Sequence, residues 1–162
     1  MKSNFFLAFL LCMLAFSSLA KDSDFAQAVN VSSDNFGGSI EDKKLVYLGN
    51  VVVTQGSLSI KADKLEVDRS AGEGKEVFIA TGQPAEYSQL LDGDKPIQAM
   101  ANEIRYDFAT RILTLTGKAE INQSGSLVRS AMIQYDLAKQ SLKASSGKDN
   151  ERVSTIFTPE KK

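Results

Sequence analysis

From about residue 40 onward, apolar side chains fall on every second position: Leu45-x-Tyr47, Val51-x-Val53, Leu58-x-Ile60-x-Ala62, Leu65-x-Val67, Ile104-x-Tyr106-x-Phe108, Leu113-x-Leu115 and Ile133-x-Tyr135. A period of two puts these side chains on one face of a strand and their polar neighbours on the other, so each stretch reads as a half-buried strand. Turn formers separate them: Gly37-Gly38, Asp42-Lys43, Gly56-Ser57, Ser70-Ala71-Gly72-Glu73-Gly74, Asp92-Gly93-Asp94, Ser124-Gly125 and Ser145-Ser146-Gly147. The pattern predicts a succession of short hairpins. Behind the N-terminal apolar run, helical periodicity has one possible place, Lys21 to Val29, which is too short to hold a helix by itself.

The pattern also repeats. Gly49-Asn50-Val51-Val52-Val53-Thr54-Gln55 superimposes without a gap on Gly117-Lys118-Ala119-Glu120-Ile121-Asn122-Gln123, and the match continues through Ile60/Val128 and Leu65/Ile133 to Asp68/Asp136. Ala101 to Asp107 lies on Ala62 to Asp68 in the same way. The recurring phrase is two alternating apolar residues, Asp, a turn, further alternating apolar residues and then Gly. Repeated strand pairs stack their apolar faces on their neighbours, which makes one core along an axis and leaves the first and last units with free edges. A jelly roll, a solenoid and a partial barrel all satisfy this pattern.

The N-terminus follows a different rule. Residues 5–16 form an uncharged apolar run behind Lys2, followed by Ser17-Ser18-Leu19-Ala20. The run is short for a bilayer crossing, and Ser18 and Ala20 supply the small residues a signal peptidase requires. We therefore expect a cleavable signal peptide at 1–20, a β domain at 21–158, a short tail at 159–162, and export from the cytoplasm. Cleavage would remove Cys12, the one cysteine, so burial and backbone pairing must hold the exported chain without a disulfide.

Charge and composition then narrow the chemistry. With 19 Lys and Arg against 20 Asp and Glu there is no basic excess, which disfavours nucleic-acid binding. The chain has no His, so the commonest proton shuttle and metal ligand are missing, and no Cys-x-x-Cys, His-Glu-x-x-His or Gly-x-Ser-x-Gly motif occurs. Asp92-Gly93-Asp94 lacks the rest of a calcium loop, and Gly72-Glu73-Gly74-Lys75 lacks the upstream Gly, the Ser or Thr and the helix of a phosphate cradle. Neither an enzyme nor a cofactor or metal site is expected. Tyr47, Tyr87, Tyr106, Phe108 and Tyr135 read either as ordinary core aromatics or as the lining of a ligand trough.

Gly49 to Gly56, followed by Ile60-x-Ala62-Asp63-Lys64-Leu65-x-Val67, Gly74-Lys75-Glu76-Val77 and Gly82-x-Pro84-Ala85, resembles the OstA-like family of periplasmic lipopolysaccharide-transport proteins. The similarity runs from about Val29 to Phe157. It implies an all-β fold: an open, slightly twisted β jelly roll of many short antiparallel strands, V-shaped in section, with a hydrophobic interior. It also implies a non-enzymatic carrier that binds lipid A and bridges the inner and outer membranes of a Gram-negative cell. The implied partners are an LptC-like inner-membrane component with the LptBFG transporter, an LptD/LptE-like outer-membrane translocon, and further copies of the chain joined head to tail. The alternative is a structural β-repeat assembly protein without lipid cargo.

Carried over position by position, the resemblance makes Val29, Val31, Tyr87, Tyr106 and Phe108 lining residues, joined by the alternating neighbours Val53, Ile60, Leu65 and Ile104. Arg69 and Lys75 flank the Gly-rich turn and become candidate contacts for lipid A phosphates, against the plainer reading of a solvated loop. Two segments, Ala28 to Ser32 and Val153 to Phe157, are uncharged and β-prone, whereas exposed edge strands are normally blunted by charge or proline. Val29, Val31, Val153, Ile156 and Phe157 are therefore expected at edges that pair between copies.

Overall fold

The computed structural model describes residues 22–92, 94–147 and 152–158. The expected signal peptide and the tail at 159–162 lie outside these residues. A one-turn helix, α1 (Asp22–Phe25), precedes ten strands: β1 (Asn30–Ser32), β2 (Asn35–Ser39), β3 (Lys44–Gln55), β4 (Leu58–Asp68), β5 (Val77–Leu91), β6 (Lys95–Asp107), β7 (Ile112–Gln123), β8 (Ser126–Asp136), β9 (Ser141–Ser145) and β10 (Ser154–Phe157). They form one antiparallel sheet in the order β1-β3-β4-β5-β6-β7-β8-β10, with β2 also on β3 and β9 also on β8. The sheet does not close, because its terminal strands do not meet.

The short apolar stretches join in pairs. Leu45-x-Tyr47 and Val51-x-Val53 are two halves of β3, and Leu58 to Ala62 and Leu65-x-Val67 are two halves of β4. Between the halves the register slips: at Leu48/Val51 on β3, Thr81/Ala85 on β5 and Thr116/Ala119 on β7. The extra residues sit on these three strands, and each insertion holds a glycine: Gly49, Gly82 and Gly117. Bulges bend a sheet and sharpen its twist. Because they line up across the strands, the bend becomes one fold line, which divides the sheet into two walls facing each other. The aligned repeat has its physical meaning here, since Gly49-Asn50 and Gly117-Lys118 all take positive φ, at 79°, 46°, 79° and 48°. A Cβ on Gly117 would stand 2.7 Å from Asn102 Nδ2. Glycine is needed there for conformation and for space.

The Asp of the recurring phrase closes the strand ends along one wall. Asp68, Asp107 and Asp136 accept the amide N–H of Ser70, Thr110 and Lys139 at 2.9, 3.0 and 2.9 Å, which builds the turn that follows each strand. Gly37-Gly38 departs from the expectation of a turn. Both residues lie in β2, paired with Val46 and Leu45, and a Cβ on Gly38 would sit 2.6 Å from the Lys44 carbonyl oxygen. Here Gly38 permits close strand approach.

Both walls turn their apolar residues inward, into one continuous core. Contacts cross between the walls: the rings of Tyr87, in the β5 half next to Ile60, and Tyr106, in the β6 half next to Phe78, are 6.3 Å apart. The Tyr135 hydroxyl on one wall donates to Gln123 Oε1 on the other at 3.2 Å. Among the described residues, no backbone hydrogen bond joins the free tips of the walls.

Candidate functional site

The interior of the V is the place where the expected lining residues converge. Val53, Ile60, Leu65, Tyr87, Ile104 and Tyr106 all point into it, and each is at most 1% exposed. Filled by its own side chains, the groove is shut along its middle. Tyr106 packs between Phe108 (centroids 4.6 Å apart) and Tyr87, and Phe108 packs in turn on Phe78 at 4.7 Å. Phe108 is only partly buried, because it follows the last residue of β6 at a wall tip. Val31 lies opposite Val53 on β1 and packs against the core, whereas Val29, just before β1, is 37% exposed. The expected lining residues thus range from sealed in the centre to accessible at one end and at the rim.

Burial raises the Tyr87 phenol well above its ordinary range and also raises Tyr106 and Tyr135, so all three are neutral hydrogen-bonding groups in an apolar setting. Tyr87 donates to Gln89 Oε1 at 2.5 Å. Tyr106 Oη and Gln55 Oε1 are buried and find no hydrogen-bond partner among the described residues.

Within Lys21 to Val29, the one stretch with possible helical periodicity, α1 forms at the mouth. The α1 turn spans the gap between the wall tips. Asp24 accepts hydrogen bonds from the Ser57 hydroxyl and, at 3.3 Å, from Gln89 Nε2. Gln55 Nε2 donates to the carbonyl oxygens of Phe25 (3.3 Å) and Gln27 (3.0 Å). All three donors belong to one wall. From the turn between β6 and β7 on the other, the Arg111 guanidinium lies 4.2 Å over the Phe25 ring, whose underside packs on the core. Gly56 allows the close approach, since a Cβ there would stand 2.9 Å from the Asp24 Cα. A lone helical turn carries too little periodicity to announce this role.

Arg69 and Lys75 belong to the loop between β4 and β5, at a wall tip. That loop meets the aromatic cluster through a hydrogen bond of 3.1 Å from the Phe108 amide to the Glu76 carbonyl. Arg69 lies 3.9 Å from Glu76, and with Lys43, Ile40 and Leu45 it lines a surface hollow of about 390 Å³. Lys75 is exposed and is not among the residues of that hollow.

At the sheet ends, β1 and β10 lie on the same wall, since they pair with 52–54 of β3 and 126–129 of β8. Ile156 and Phe157 are 48% and 74% exposed, and Val153 is exposed just before β10. The other wall ends in β2 and β9, so each end of the molecule presents two edge strands rather than one. β2 adds Phe36, which is 64% exposed and stacked on Tyr47 at 4.9 Å. The glycine pair had disguised this strand as a turn.

The family described as LptA/(LptD N-terminal domain) LPS transport protein matches residues 30–141. A lipopolysaccharide export system protein LptA from Haemophilus influenzae is 39% identical over 145 residues, which cover 88% of this chain and 84% of the relative. The protein of the same name from Escherichia coli strain K12 is 34% identical, over 96% of this chain and 84% of its own length. The crystal structure of LptH from Pseudomonas aeruginosa, described as the LptA homologous periplasmic component of the conserved lipopolysaccharide transport device, superimposes with a TM-score of 0.77 at 25% identity, covering 85% of this chain and 99% of that one. The bent open sheet, its continuous apolar interior and these matches agree: the chain belongs to the LptA/LptD N-terminal-domain family of lipopolysaccharide transport proteins.

Proposed function

We propose that this chain is a non-enzymatic periplasmic carrier that holds the acyl chains of lipopolysaccharide between its two walls and passes them along a groove extended by neighbouring molecules. The observation that carries the reading is the single apolar interior running the length of a sheet whose ends stay open. Each buried methylene is worth about 0.8 kcal/mol, so drawing one acyl chain of about a dozen carbons through water costs on the order of 10 kcal/mol. An unbroken apolar lining removes that barrier, and because apolar contacts are non-directional the lipid can slide.

The sealed centre is compatible with this role on energetic grounds. Parting the walls breaks apolar contacts, a few cross-wall side-chain contacts and no backbone ladder. An entering acyl chain replaces contacts of the same kind, so opening and loading are nearly balanced when they occur together. The same close packing favours the alternative, a structural β-repeat protein with a permanent core. Titration of the purified protein with fluorescent lipid A separates the two: saturable uptake at about one lipid per chain supports the carrier, and no uptake by well-folded protein supports the structural reading.

Transport between membranes further requires partners at both ends. The edge geometry suits self-association and docking to related domains, as in an LptC-like component or an LptD/LptE-like translocon. β10 runs opposite to β8 and β1 opposite to β3, so placing β1 of one copy beside β10 of the next continues the antiparallel alternation, and β2 beside β9 does so on the other wall. Such a heterologous joint need not close on itself, so copies can stack head to tail.

A further inference from the structure

We propose that α1 is an internal plug that occupies, in the empty molecule, the site at which the polar junction of the lipid binds in the loaded one. The proposal rests on the carrier reading and adds to it the regulation and chemistry of the groove mouth. Its basis is the matching of donors and acceptors. The walls contribute donors at this point: the Ser57 hydroxyl, Gln89 Nε2 and Gln55 Nε2, with the Arg111 cation facing them across the gap. To these α1 and the bend after it present a carboxylate at Asp24, carbonyl oxygens at Phe25 and Gln27, and one apolar ring directed at the core.

An anionic oxygen, neighbouring carbonyls and attached hydrocarbon are also what an acylated, phosphorylated glycolipid offers where its acyl chains leave the sugar. The α1 turn therefore resembles the cargo chemically, and the two compete for one set of groups. The mouth stays imperfectly satisfied with α1 in place, because the buried Gln55 Oε1 lacks a partner among the described residues. Four helical residues contribute little local stability of their own, so such a plug can leave without unfolding the sheet.

If the plug closes most molecules, apparent lipid affinity is reduced by the fraction that is open. The double substitution Asp24→Ala with Phe25→Ala is expected to tighten lipid A binding about five- to tenfold. A second chain, carrying Cys12→Ser with Asp24→Cys and Ser57→Cys, closes the plug covalently when oxidised and frees it on reduction. The oxidised form is expected to lose lipid A uptake and to regain it on reduction, with an unchanged circular dichroism spectrum. Equal binding by both redox forms would overturn the plug and leave the carrier standing, whereas no binding by the unsubstituted protein would defeat the carrier and the plug with it. Lipid A and its dephosphorylated form identify the ligand oxygen: a redox difference seen only with lipid A assigns the donors to phosphate, and one seen with both assigns them to the acyl carbonyls.

Discussion

Tyr106 buries a phenol that finds no hydrogen-bond partner among the described residues, a condition that usually costs about 1–3 kcal/mol. Removing the hydroxyl with Tyr106→Phe keeps the ring contacts to Phe108 and Tyr87, so the empty protein should be as stable as before or gain about 1 kcal/mol, read from its urea midpoint. The turn-closing aspartates act in the opposite sense. Hydrogen bonds from Ser70, its side chain first and then its backbone, hold Asp68 below its ordinary range, and the Lys139 amide does the same for Asp136. As pH falls the unfolded chain takes up these protons first, so the stability they supply is complete above about pH 4 and disappears as pH drops through the lowered folded values. Asp136→Asn should therefore flatten the acid side of the stability curve below about pH 4. These aspartates were legible in the sequence as a repeated phrase because each closes a turn by contact with its own near neighbours. Asp24 was not, because its partners Ser57 and Gln89 are distant in sequence and only folding brings them to it.

Among the elements, the bent strand decides the architecture, and the bend depends on glycine. Gly117→Ala should destabilise the protein by about 1–2 kcal/mol, since the new Cβ meets both a positive φ and Asn102. Gly37→Ala, in an edge strand with open space and ordinary backbone angles, should change the urea midpoint little. The alternation in sequence shows where strand halves lie but not which halves belong together. Gly49 and Gly117 resemble turn glycines, and only the pairing register reveals that the chain continues through them. At the ends, Ile156→Pro would remove a β10 donor at a half-exposed position, so it should shorten head-to-tail assemblies in light scattering and leave the monomer folded. An unchanged size distribution would count against pairing through β10.

Taken as one body, the protein is a sheet folded along a line of bulges, sealed by side chains in its centre and spanned at its mouth by a single helical turn. This form reconciles a packed core with a carrier's task, because the contacts that close the interior are of the same apolar kind that an acyl chain would make. The decisive question is whether hydrocarbon enters between the walls. A photo-reactive residue at Phe108, partly buried at the groove rim, should capture lipopolysaccharide in living cells, while the same residue at Lys64, which is 40% exposed and paired with Glu66, should capture none. Equal capture at both positions, or capture at Lys64 alone, would contradict passage of the lipid through the interior.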